Sequence, residues 1–447
     1  MSAWSPIATA WRRVTDKQAP FDNNMTSSLA SSLLRPVPYM GVIHVVHEAV
    51  KLGFRNGHPD WCNLGQGQPE IGPMAGAPER LASLQFDVAD CAYGPVGGID
   101  ALRQAVADDY NRRYRRGKAS QYTRDNVAIA SGGRLALSRL LATLGEIRLG
   151  HVVPDYTAYE DLIAYHRHRF TPVTLPVGPE DGFAIPAQAL EGLIAREQLD
   201  ALLWSNPNNP TGAVVRGEAL AQYVAAARNT DCWMLLDEFY SHFVFEDGHA
   251  PADKPVSAAE FVEDVERDPV VIVDGLTKNH RYPGLRVGWV VGPTEVIDMI
   301  SRAASAIDGG PPTIVQRLAV QALQSDRADQ ETSALRQMFA RKRRIMLDAL
   351  TDMGVEIPCP GNGTFYLWGR VHRLPAPLNT ADTFFTEGLK RKVMTVPGRF
   401  FDVNPGNQRA TEYIDASWVR FSFGPPEPNL RMGLERLGDM VNSARRG

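Results

Sequence analysis

At 447 residues, 44% hydrophobic and 22% charged, the chain has the composition of an ordinary globular protein and the length for a large domain with a smaller partner. A formal net charge of -4, from 47 basic and 51 acidic residues, supplies no positive field for nucleic acid. No stretch approaches membrane-spanning length, and the four cysteines stand without metal or redox spacing. With no export signal at Met1-Ser-Ala-Trp-Ser-Pro, the thiols are expected to be reduced in a cytoplasm.

In chain order, residues 1–35 lack a clear period and read as a flexible arm. Val45, Val46, Ala49 and Val50 fit an amphipathic helix that Gly53 ends. Asn63-Leu-Gly-Gln-Gly67 follows, a plain turn or a place where backbone approaches another group closely. Tyr93-Gly-Pro-Val-Gly-Gly98 precedes a helix marked by Ile99, Leu102, Val106 and Tyr110. The arginines at 112, 113, 115 and 116 close that helix and read as a solvated face.

Asn126–Ala130 reads as a strand, Ser131-Gly-Gly-Arg134 as a tight turn and Leu135–Leu144 as a helix. A strand, a glycine turn and a helix present free N–H groups suited to a phosphate, though two glycines also make an ordinary turn. Apolar runs at His151–Val153, Phe170–Val177, Ala201–Trp204 and Trp233–Leu236 then alternate with helical stretches at 157–166 and 218–228. This βαβ rhythm predicts an α/β fold with a largely parallel sheet. Its strands run into polar residues: Ser205-Asn-Pro-Asn-Asn209-Pro-Thr-Gly212 after one, Asp237-Glu-Phe-Tyr240 after another. An acid directly after four apolar residues is partly desolvated and needs a cation to stay ionised; a salt-bridged or capping aspartate satisfies the same pattern. Lys278 ends a run that begins with the strand-like Val270–Val273. A lysine just beyond a parallel strand can face a ligand in the crevice outside the strand ends, or simply water. If desolvated, it becomes a nucleophile able to form a Schiff base.

Together these motifs resemble the fold type I pyridoxal-phosphate-dependent aminotransferases, the aspartate-aminotransferase-like class I/II family. Asn209-Pro-Thr-Gly212, Asp237 with Tyr240, Thr277-Lys278 and Arg286 stand in that family's order and spacing, and the resemblance spans Asn63 to Arg420. It implies a mostly parallel seven-stranded sheet flanked by helices and a smaller α+β domain built from both chain ends. Domain bounds follow as an arm over 1–35, a joining segment over 36–75, a large domain over 76–312 and a small domain over 313–447. Catalysis falls to Lys278, Asp237 and Tyr240. Lys278 would hold pyridoxal 5'-phosphate as a Schiff base (an internal aldimine) and then carry a proton. Asp237 would pair with the pyridine nitrogen, and Asn209 and Tyr240 would bond the phenolate oxygen. Tyr156 would stack on the ring, while Gly133, Arg134, Thr277 and Arg286 would bind the phosphate.

Tyr93 matches a tyrosine that reaches the neighbouring subunit's phosphate, which implies a homodimer with shared sites. Arg420 would clamp a substrate α-carboxylate, with Asn209 and Gly67 beside it, so the implied substrates are an α-amino acid and a 2-oxo acid. Gly275 departs from the family, where a phosphate-binding serine often stands. It leaves more of the phosphate to Thr277, Arg286 and Arg281, and Arg134 or Arg281 could select an acidic side chain. The same residues also serve lyases, cyclases and oxidases, which are the alternative activities. A sensor built on this fold is disfavoured, because no helix pair for DNA precedes Asn63.

Overall fold

The computed structural model describes residues 39–246, 250–251 and 254–446; the arm expected over 1–35 lies outside them. Seven strands form the main sheet: β1 (Val127–Ala130), β2 (Ile147–Val153), β3 (Phe170–Pro176), β4 (Ala201–Ser205), β5 (Trp233–Asp237), β6 (Val270–Gly275) and β7 (Gly288–Val291). Their order is β1-β7-β6-β5-β4-β2-β3. Only β7 runs antiparallel to its neighbours. It follows Arg286 closely, and its four residues give no pattern of their own, so the apolar runs alone do not reveal it.

Every residue of β6 is buried, as expected for a strand covered on both faces. Alternation along the strands divides their side chains between two apolar layers. Leu203, Leu235, Val271 and Val273 join one; Leu202, Met234, Leu236 and Ile272 join the other. Helices α3 (Gly133–Thr143) and α7 (Thr294–Ile307) supply the first layer, while α2 (Asp100–Tyr114) and α6 (Glu218–Thr230) supply the second. Full burial of one such aliphatic side chain stabilises by about 1.5–3 kcal/mol, so polar residues are displaced to the strand ends.

The smaller unit holds an antiparallel sheet of Tyr366–Arg370, Val396–Pro397 and Trp418–Ser422, with the last strand central. A 29-residue helix, Ser325–Met353, and the final helix, Glu427–Arg446, pack against each other there. Cys62–Asn63 pairs in parallel with Val393–Met394, which ties the N-terminal segment to this unit. Val393–Met394 and Val396–Pro397, separated by Thr395 alone, serve different sheets.

The arginine cluster departs from its expected solvated face. Arg115 is fully buried and donates to the carbonyls of Ser120, Ala259 and Val262. Arg113 is nearly buried between Asp109 and Asp329.

Candidate active site

The parallel register sets the site. Ser205 pairs with Asp237, and Asp237 with Val273, so the ends of β4, β5 and β6 lie side by side. Lys278 stands in the turn beyond β6 and donates from Nζ to the Gly67 carbonyl. Burial lowers its pKa to about 7, helped by the guanidinium groups of Arg420, Arg286 and Arg134 and opposed by Asp237. Asp237 is only 5% exposed. Burial raises its carboxyl to about 6, against hydrogen bonds from the Phe239 N–H and the Tyr159 hydroxyl. A cation brought to that carboxyl would restore its charge.

A second cluster suits an anion. Gly132 has φ +93° and precedes α3 without any side-chain cap, leaving the first N–H groups of the helix outside its own hydrogen bonding. A Cβ on Gly132 would meet Arg286 Nη2 at 2.3 Å, so that guanidinium lies across the turn. On Gly133 it would meet the Phe239 ring at 2.3 Å. Thr277 Oγ1 is buried with no hydrogen-bond partner among the described residues, an unmet need at the strand end. Arg134 Nε donates to the Tyr156 hydroxyl over 2.9 Å. The departure at Gly275 has a steric cause: a Cβ there would stand 2.5 Å from the Val287 carbonyl and 2.7 Å from Gly288 Cα.

A third cluster is a cation held ready. Arg420 is 2% exposed; its Nη1 donates to Asn209 Oδ1 at 2.9 Å and its Nη2 to the Gly65 carbonyl at 2.8 Å. Its Nε is buried and unpartnered. Tyr366 lies under the guanidinium, 4.0 Å from ring centroid to Cζ, and Phe401 at 4.9 Å. The Tyr240 and Tyr366 hydroxyls are 2.8 Å apart, and a Cβ on Gly67 would come within 3.6 Å of the latter.

Lys278, Asp237, Tyr240, Asn209, Arg420, Gly67 and Arg134 are therefore drawn together by direct contacts or shared fields. Tyr93 is not; its side chain is fully exposed. Arg281 is also removed from the site. It is completely buried, ion-paired with Glu331 at 2.5 Å and bonded to the Glu70 and Gly72 carbonyls. Sequence reading missed Tyr366, Tyr159 and Asp155, all buried. Tyr159 lies on a short helix, Ala158–Ala164, and its ring meets that of Tyr156 edge-on with 5.5 Å between centroids.

Among the described residues, no helix is long and apolar enough to cross a membrane. Nor does any group of acidic, histidine or cysteine side chains there gather to hold a metal.

The family model for aminotransferase class I and II matches residues 59–437. An aspartate/prephenate aminotransferase of Thermus thermophilus is 26% identical over 403 residues, 90% of this chain and 96% of that protein. An arginine–pyruvate transaminase of Pseudomonas aeruginosa is 31% identical over 284 residues, 62% of this chain and 66% of that protein. Among solved structures, a tetra mutant of Thermus thermophilus aspartate aminotransferase complexed with tryptophan is 25% identical, with a TM-score of 0.74, covering 92% of this chain and 98% of that one. Given these matches over a sheet whose strand ends gather a desolvated lysine and a buried aspartate, the chain belongs to the class I and II aminotransferases, enzymes that use pyridoxal 5'-phosphate to transfer amino groups.

Proposed function

We propose that Lys278, Asp237 and Tyr240 carry the chemistry of an amino-group transfer between an α-amino acid and a 2-oxo acid. Gly133, Arg134, Tyr156, Asn209, Thr277 and Arg286 would hold pyridoxal 5'-phosphate with them, joined by Tyr93 from a second copy. The observation that carries this reading is the amine of Lys278, desolvated among three guanidinium groups beside the Asp237 carboxyl. The unpartnered Thr277 hydroxyl, the open N-terminus of α3 and the Arg286 guanidinium suit the phosphate. Bound there, the cofactor supplies a ring that accepts the electron pair released at the substrate Cα.

This chain's residues supply the rest. Lys278 Nζ, neutral above about pH 7, can take the Cα proton and, once protonated, return it. Asp237, ionised opposite a protonated ring nitrogen, keeps that proton in place. Arg420 grips the α-carboxylate through its planar fork and so fixes the Cα–H bond for proton removal. Asn209 and Tyr240 would bond the phenolic oxygen, and Tyr156 the ring face. Gly67 closes the site from the N-terminal segment.

The relatives are named for aspartate, prephenate and arginine substrates, so the side-chain preference is set outside the elements shared by all. We further propose a homodimer in the cytoplasm, with domains over 36–75 joined to 313–447 and over 76–312. An anaerobic absorbance titration tests the function. Conversion of the bound cofactor to its amine form by an amino acid, reversed by a 2-oxo acid, is expected; turnover without that conversion would overturn it.

A further inference from the structure

Asp155 is buried at 0% exposure just beyond β2, and nothing in the chemistry described above uses it. Its carboxylate takes three donors. Oδ1 accepts the Ser205 hydroxyl at 2.5 Å and the Tyr156 N–H at 2.7 Å, and Oδ2 accepts the Ser205 N–H at 3.2 Å. The Ser205 oxygen, whose hydrogen is thus committed, accepts the Asn209 N–H at 3.0 Å and the Asn208 side-chain amide at 3.4 Å. Asn209 Oδ1 in turn accepts Arg420 Nη1 at 2.9 Å. The chain of bonds is unbroken from carboxylate to guanidinium, and Ser205, Asn209 and Arg420 are at most 2% exposed. A second path meets it: the Asp155 N–H donates to the Phe401 carbonyl at 3.2 Å, and the Phe401 ring lies under Arg420.

Burying a carboxylate is costly: burial raises the Asp155 carboxyl, and the donors from Ser205 and Tyr156, which reach both of its oxygens, oppose that rise and favour the charged form. A serine or asparagine would satisfy part of this pattern at lower cost. What only the carboxylate offers is acceptance at both oxygens, which fixes the direction of the Ser205 hydroxyl and leaves its lone pairs for Asn209.

We propose that Asp155 is a positioning residue for the amino-group transfer, holding Asn209 through Ser205 and the Arg420 guanidinium through Asn209. The inference rests on the roles given above to Asn209 and Arg420. In Asp155→Asn the amide must set an N–H against one of three donors, so the end of β4 shifts. In Ser205→Ala the relay is cut while the carboxylate remains.

Parent, Asp155→Asn, Ser205→Ala and Asn209→Ala holoenzymes are compared by two readouts. One is the pH titration of the visible absorption band of bound pyridoxal 5'-phosphate, which needs no substrate. The other is the single-turnover preference for L-alanine, L-valine and L-phenylalanine over their amides, which isolates carboxylate recognition. Expected is a band midpoint moved in the same direction in all three variants, with acid-over-amide preference reduced about tenfold, the loss of one bond to a charged group. A shifted band in Asn209→Ala, with parent midpoint and preference in Ser205→Ala, overturns the proposal alone. An unshifted band in Asn209→Ala overturns the role of Asn209 itself. Should Asp155→Asn fail to fold, Ser205→Ala decides.

Discussion

The charged form of Lys278 is disfavoured where it stands. Burial comes first, then the fields of Arg420, Arg286 and Arg134, and together they bring its pKa to about 7. Lowering the pKa of an amine makes the neutral, nucleophilic form available at lower pH. The rate at which apoprotein captures pyridoxal 5'-phosphate should therefore rise to a plateau with a midpoint near pH 7 in stopped-flow absorbance. A midpoint near 10 would mean a solvated amine. At this scale the sequence was informative where strand position constrains a residue: Asp237 directly follows the apolar run Trp233–Leu236, and Lys278 and Asn209 each lie five residues beyond the end of one. Tyr366 and Asp155 were not legible, because their importance comes from partners 126 and 50 positions away, Tyr240 and Ser205. Arg281 was misread for the same reason. Only the fold shows that Glu331 and two carbonyls already occupy it.

Among the elements, β6 and β7 decide how the phosphate end of the site is built. They pair from Gly288 with Gly275 to Val291 with Ile272, and the close approach at their mouth excludes any side chain at 275. A serine there would have to push the Val287 carbonyl aside. Gly275→Ser should cost about 1–3 kcal/mol of stability through overpacking, read as a lower midpoint in urea, and should add no affinity for pyridoxal 5'-phosphate. An unchanged midpoint with tighter cofactor binding would show that the strand pair can open. The strands were legible from β-branched runs ending in polar residues. The antiparallel β7 was not, since direction within a sheet depends on which neighbours it pairs with. The split at Thr395 was hidden for a related reason: its flanking residues are all buried, so the pattern looks continuous.

At the scale of the molecule, the segment around Cys62–Asn63 joins the C-terminal residues in the smaller unit and brings Gly65 and Gly67 to Arg420 and Lys278. Arg281 extends this connection: three residues beyond Lys278, it binds the N-terminal segment and Glu331 of the long helix Ser325–Met353. Arg420 thus belongs to the smaller unit, while the Lys278 turn is tied to both. Tyr93 is fully exposed, and its proposed part in the site requires a second copy of the chain. Sedimentation of the holoenzyme should give twice the 49.2 kDa chain mass at micromolar concentration. A monomer of full activity would remove Tyr93 from the site.

In the proposed site, Lys278 is the residue that would hold the cofactor. Hydride reduction of the holoenzyme, followed by proteolysis and peptide mass spectrometry, tests it most directly. The account predicts the phosphopyridoxyl mass on the peptide containing Lys278, and its loss in Lys278→Ala. The same mass on another lysine, with Lys278 unmodified, would contradict it.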